Sequence, residues 1–245
     1  ARGARTLAVC NSIGSQVTRL AEGTLLTHAG LETGVASTKA FSTQLAMLTL
    51  LALQLGRARD AAPRDAETAL IRGLRALPAQ IEFVHGLEST IQELAAEWYE
   101  TPSALYLGRG PMYPVALEGA LKLKEIAYVH AQGYPAGEMK HGPIALIDSK
   151  MPVLALVPND GHRDRTRSNL QEAAARGAPI LALVSQGDDG LNAIARSVIA
   201  LPPIHASLAP ILYTIPLQLF AYHVAVLRGC DVDRPRNLAK SVTVE

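Results

Sequence analysis

Four segments of this 245-residue sequence gather side chains suited to proton transfer and carbonyl chemistry. In Glu118-Gly-Ala-Leu-Lys122-Leu-Lys124-Glu125, a helix would put Glu118, Lys122 and Glu125 on one face, at i, i+4 and i+7. A carboxylate held beside a lysine can carry a proton between neighbouring atoms of a ligand. The same spacing also makes an ordinary solvated salt-bridge ladder. The Gly- and Pro-rich run Ala136-Gly137-Glu138-Met139-Lys140-His141-Gly142-Pro143 reads as a loop presenting Glu, Lys and His together. An imidazole there can exchange a proton with a sugar oxygen, and a surface loop with incidental charges fits the same letters. In Gly34-Val35-Ala36-Ser37-Thr38-Lys39-Ala40-Phe41-Ser42-Thr43, small hydroxyl residues stand where a long helix begins. Free N–H groups and a positive dipole end suit a phosphate or hydroxyl-rich ligand there, and a plain Ser/Thr cap is the simpler alternative. Lastly, Lys240 lies in a tail that carries Val and Leu rather than Gly and Ser. An amine beside a carbonyl forms an imine once its pKa is lowered, whereas a solvated lysine asks for nothing special.

The elements that must position these groups follow from hydrophobic patterning. Leu7–Cys10, Ala104–Leu107, Val153–Val157, Ile180–Val184 and Val198–Leu201 are short continuous apolar runs, as in strands covered on both faces. Between them Ser37–Leu55, Asp65–Glu82, Leu87–Glu100, Val115–Ala131, Arg163–Arg176 and Ile211–Leu227 read as helices. Gly56 is a stop signal for the first of these and Pro216 a kink in the last. Strand, helix, strand in sequence implies an α/β fold with parallel sheets and right-handed crossovers. The helix bearing Glu118 follows a strand and a Gly108-Arg109-Gly110 turn, so its first turns lie near the carboxyl edge of a sheet, where ligands of open α/β folds bind.

An internal repeat is also visible. Leu7-Ala8-Val9, a polar turn and a helix containing Gln44-Leu45 match Leu181-Ala182-Leu183, a polar turn and a helix containing Gln218-Leu219. The second copy is preceded by a further half, Ala104 to about Arg176, and the equivalent for the first copy is expected before residue 1. The opening Ala1-Arg2-Gly3-Ala4-Arg5 reads accordingly as a cut through a domain, with removal of a leader or tag as the alternative. Residues 57–66, charged and Ala-rich, read as a domain boundary.

Composition narrows the function classes. Hydrophobic residues make up 49% of the chain, enough for a sizeable core, and the net charge is +1 with no basic stripe, which argues against nucleic acid as a partner. No apolar run reaches the roughly 18 residues of a membrane span. Cys10 and Cys230 lie far apart and outside any CxxC or Cys/His cluster, so neither a metal centre nor a redox motif is indicated and a reduced, cytoplasmic setting is the simplest expectation.

GVASTKAF at 34–41, ALEGALKLKEI at 116–126, KHGP at 140–143 and DRPRNLAKSVTVE at 233–245 occur in order, and together they resemble the glutamine–fructose-6-phosphate aminotransferase family along essentially the whole chain. The resemblance implies the isomerase half of that enzyme. It would comprise two sugar-isomerase (SIS) subdomains with flavodoxin-like parallel sheets, the first incomplete, and would lack the glutaminase domain. The implied division is residues 1–60 for the first subdomain, 61–100 for a helical connection, 101–230 for the second subdomain and 231–245 for an active-site tail. The resemblance makes Lys240 the lysine that forms an imine with open-chain fructose 6-phosphate, and Glu125 the proton carrier between sugar carbons 1 and 2. His141 assists ring opening from a neighbouring subunit of a homodimer, and Lys122 shapes the site beside Glu125. Val35, Ser37 and Ala239 match positions that touch the sugar. No metal or redox cofactor is implied. The family's phosphate-binding loop matches sequence upstream of residue 1, so the isolated chain is expected to be nearly inactive, to expose apolar surface and to self-associate. A sugar-phosphate-sensing regulatory module and a deglycase are the alternatives.

Overall fold

A computed structural model describes residues 3–61 and 63–240, so Ser241–Glu245, the end of the expected active-site tail, lie outside the described residues. The chain alternates strands β1 (Leu7–Cys10), β2 (Gly23–Leu26), β3 (Ser103–Gly108), β4 (His130–Pro135), β5 (Val153–Val157), β6 (Ile180–Ser185) and β7 (Ser197–Leu201) with helices. The helices are α1 (Gln16–Leu20), α2 (Lys39–Ala58), α3 (Arg64–His85), α4 (Glu88–Trp98), α5 (Met112–Ala127), α6 (Arg163–Ala174) and α7 (Ala209–Leu227).

Five strands form one sheet in the order β4-β3-β5-β6-β7, and every neighbouring pair is parallel. β5 is buried at every residue and β6 at all but its last, as both-face coverage requires. Alternate side chains of β3 separate the two cores. Ala104 and Tyr106 join the cluster under α4, α5 and α7, and Leu105 and Leu107 join the cluster under α6 and the turns around Ala136–Leu146. The order reverses between β3 and β5, which makes the carboxyl edge there a ligand crevice by topology.

β1 and β2 form a separate two-stranded parallel sheet followed by α2. The arrangement β1-β2-α2 repeats as β6-β7-α7, two adjacent parallel strands and then a long helix. Leu7, Val17 and Leu20 around the small sheet remain exposed. By length and composition the helical stretch Ala206–Leu227 is apolar enough to cross a membrane, yet 67% of its most apolar 18-residue window is buried, with α7 packed on α4 and α5 as a core helix.

Several boundaries differ from the patterning. β2 and β4 were not expected. β4 is an edge strand whose first four residues alternate between exposed and buried, so it carries no apolar run. The helix expected to reach Ala131 stops at Ala127, because Tyr128 takes a left-handed conformation at φ 56° and no glycine marks the stop. It begins early, at Met112, since Pro114 falls in the first turn, where no N–H partner is lost. α2 runs through Gly56 to Ala58, and α7 continues through Pro216.

Candidate functional site

Helix α5 owes its position to a glycine. A Cβ on Gly119 would lie 2.6 Å from Leu217 Cδ1 of α7 and 2.9 Å from the Tyr106 ring of β3, so only glycine lets the three elements meet this closely. That close seat draws the next turn of α5 inward, and Lys122 is only 3% exposed. Its Nζ lies 2.7 Å from Glu125 Oε2 and 3.3 Å from Glu118 Oε1. The trio is therefore no solvated ladder, since the Glu118 and Glu125 side chains are just 12% and 22% exposed. Glu125 Oε2 has no aligned hydrogen-bond donor, so the ion pair is its only polar contact among the described residues. Burial pushes the Glu118 carboxyl above its usual range; Lys122 pulls it back by charge and hydrogen bond, and the Glu125 charge adds to the rise.

Lys122 and Ile126 form one wall of a cleft of about 330 Å³. Glu32, Gly34, Ala36, Thr38 and Lys39 from the approach to α2 form another, Gln218 and Tyr222 of α7 a third, and Val232 and Asp233 close it. The N-terminus of α2 is not capped by its own Ser and Thr hydroxyls. Glu32 does this instead: its Oε1 accepts from Thr38 N (3.1 Å), Ala40 N (3.2 Å) and Ser37 Oγ (3.3 Å). A carboxylate from the chain itself thus occupies the place that the sequence had offered to an outside anion.

The tail docks on this wall. Asp231 Oδ1 turns the chain by accepting from Asp233 N and Arg234 N, and Val35 N then donates to Asp233 O at 3.0 Å. Gly34 eases the contact, since a Cβ there would stand 3.0 Å from Asp233 Oδ1 and press on that side chain. Arg236 lays its guanidinium 4.3 Å above the Tyr128 ring and donates its backbone N–H to the Tyr128 hydroxyl. Lys240 Nζ ends the run by donating to Gly34 O at 2.7 Å and Glu32 Oε2 at 3.1 Å. Burial raises the Glu32 carboxyl, but the Lys240 hydrogen bond, the Ala40 and Thr38 amides and the Lys240 charge outweigh it, so Glu32 titrates below the usual range.

Of the expected site residues, Lys122 lines the cleft and is ion-paired with Glu125, Lys240 reaches the lining residues Glu32 and Gly34, Val35 and Ser37 stand between lining residues without lining it themselves, and exposed Ala239 adjoins Lys240. His141 is not brought there. It sits on the turn after β4 with its side chain 75% exposed, and Glu138 at 4.0 Å is its ion-pair neighbour. Sequence reasoning missed Glu32 and Tyr128. Glu32 is a single acid outside any capping pattern, and its lysine partner lies 208 residues away, so no local signal marks it. Among the described residues no group of three or more His, Cys, Asp or Glu side chains could hold a metal ion.

Comparison with known proteins bears on the family and the fold. The SIS domain family model matches residues 1–54 and 98–228. Glutamine–fructose-6-phosphate aminotransferases [isomerizing] of Pseudomonas syringae pv. tomato and Thermus thermophilus are 51% and 49% identical to it, over 98% and 100% of this chain. The chain spans only about two fifths of those relatives, 39% and 40% of their length. The C-terminal domain of glucosamine-fructose-6-phosphate aminotransferase from Francisella tularensis superimposes with a TM-score of 0.88 at 40% identity, covering 94% of this chain and 64% of that one. At 19% identity, a putative tagatose-6-phosphate ketose/aldose isomerase from Clostridium novyi still shares the fold, with a TM-score of 0.81. With a family match over most of its length, and parallel sheets that superimpose on these structures, the chain belongs to the SIS domain family.

Proposed function

We propose that this chain is the sugar-isomerising part of an enzyme that converts fructose 6-phosphate and glutamine-derived ammonia into glucosamine 6-phosphate. The observation that supports the reading is Lys240 bonded to Glu32 and Gly34, two residues of the cleft that Lys122 also lines. A ketose needs three things to become an amino-aldose: an amine to activate its carbonyl, a carboxylate reaching two adjacent carbons, and a cation for developing negative charge on oxygen. In this reading Lys240 attacks the C2 carbonyl of the open-chain sugar and forms an imine with loss of water. Ammonia then adds at C2 and displaces the Lys240 amine, leaving an ammonia-derived imine and a free lysine; Glu125 takes a proton from C1 and returns it at C2 while the C1 hydroxyl proton passes to the nitrogen. Lys122, too deeply buried to leave, orients Glu125. Val35, Ser37 and Ala239 line the sugar's path. The exposure of His141 on its turn favours a role in a second subunit's cleft, so the working form is a homodimer in which each His141 opens the ring bound by its partner. The glutaminase activity belongs to a separate domain of the whole enzyme.

Calorimetric titration with glucosamine 6-phosphate, wild type against Lys240→Ala, tests the reading. The expected result is saturable heat that the substitution weakens about tenfold or more, the equivalent of roughly 1.4 kcal/mol. Equal binding by both proteins would remove Lys240 from the sugar site, and no heat from the wild type would mean that these residues do not hold the sugar without the phosphate-binding segment.

A further inference from the structure

Glu32 joins two features that are remote in sequence. One carboxylate oxygen accepts three hydrogen bonds at the start of α2, and the other accepts from Lys240 Nζ. Its side chain is 14% exposed, against 45% for Lys240, so the carboxylate is the fixed partner and the lysine the movable one. The two amides and the Ser37 hydroxyl leave the carboxylate little freedom to turn, and Oε2 is thereby aimed at the tail. Gly34 O, the other acceptor of Lys240, lies on the same segment.

We propose that Glu32 is a positioning residue: through the α2 N-terminus it sets where the Lys240 amine stands in the cleft, and so determines how readily that amine meets a sugar carbonyl. The inference deepens the reading of Lys240 as the imine-forming lysine and rests on it. Glu32 touches the lysine nitrogen and not the sugar. It acts by holding the tail at one point, which trades the freedom of a long side chain for a defined approach.

Glu32→Gln separates the two duties. An amide oxygen still accepts from the Thr38 and Ala40 amides and so keeps the cap, while the amide NH2 turned toward Lys240 is a donor facing a donor. Glu32→Asp, one methylene shorter, keeps the charge. Two readouts apply to each variant. The first is trypsin cleavage after Lys240, resolved by mass spectrometry with no sugar present. The second is borohydride trapping of a fructose 6-phosphate adduct on Lys240, in which hydride reduces the imine to a stable secondary amine. For Glu32→Gln the expected result is cleavage about fivefold faster and a yield of trapped adduct about fivefold lower, the scale of one half-exposed charged hydrogen bond, at an unchanged melting temperature. Glu32→Asp should recover part of both.

Wild-type cleavage and trapping in Glu32→Gln would reduce Glu32 to a helix cap and overturn the proposal. Faster cleavage with unchanged trapping would also overturn it, since docking would then have no bearing on the amine's chemistry. If the wild type itself traps no sugar, this chain does not form the imine on its own, and a positioning role for imine formation within it fails; the cleavage rates then still report, separately, whether Glu32 docks the tail.

Discussion

Replacing Lys122 by methionine tests the buried trio most directly, because the volume is nearly kept and only the charge is lost. In the native protein the ammonium faces carboxylate oxygens at 2.7 and 3.3 Å. At an effective dielectric constant of about 20 these distances correspond to gross attractions of about 6 and 5 kcal/mol, most of which offsets the cost of taking three charges out of water. Removing the cation leaves that cost uncovered, and breaking a buried ion pair from one side typically costs about 3–5 kcal/mol. We expect about 3 kcal/mol, a fall in melting temperature of about 6 °C for a chain of this length. The loss must depend on pH in a definite direction. Burial already holds the Glu118 carboxyl above its ordinary value, and Lys122 is what pulls it down, so the substitution raises it further. A raised carboxyl destabilises the folded state above its folded pKa, and the penalty fades as pH falls through that value toward the unfolded one, about 4.3. Thermal melts followed by circular dichroism at neutral pH and at about pH 5 would therefore show a deficit that shrinks on acidification. A shift within about 1 °C at neutral pH, or a deficit of equal size at both, would refute the reasoning.

Two further outcomes follow from packing and local hydrogen bonds. Gly119→Ala drives a methyl to within 2.6 Å of Leu217 and 2.9 Å of Tyr106, so calorimetric melting should show about 1–3 kcal/mol of destabilisation; an unchanged transition would mean that α5 shifts freely. The Cys10 thiol is held below its ordinary value chiefly by the Ser15 hydroxyl and also by the Ser12 backbone, so Ser15→Ala should move its iodoacetamide alkylation profile to higher pH. Coincident profiles for the two proteins would dismiss the hydroxyl as the cause.

The sheet was legible wherever strands are covered on both faces. Val153–Val157 and Ile180–Ser185 announce themselves because nearly every side chain is buried and therefore apolar. β4 stayed hidden because an edge strand needs no apolar run, and the end of α5 because the left-handed stop is a tyrosine. The site divides in the same way. Glu118, Lys122 and Glu125 could be grouped from helical spacing, yet spacing carries no information on burial, and burial is what turns the trio from a surface ladder into a charged core. Docking of the tail was the least legible feature. Its contacts, Val35 with Asp233, Glu32 with Lys240 and Tyr128 with Arg236, link segments more than a hundred residues apart, and no local pattern encodes them. A motif resemblance pointed to Lys240, but nothing short of the fold pointed to the carboxylate that receives it.

The bond between Glu32 and Lys240 also orders events in time. The carboxylate leaves the ribosome 208 residues before its lysine, a delay of roughly 10–40 s at typical rates of synthesis. Through that interval α2 can form and Glu32 can cap it, but its second carboxylate oxygen has no Lys240 to accept from. Docking therefore waits on a segment made long after the helix that receives it, so a chain halted before residue 240 can carry a capped α2 whose Glu32 still lacks that partner.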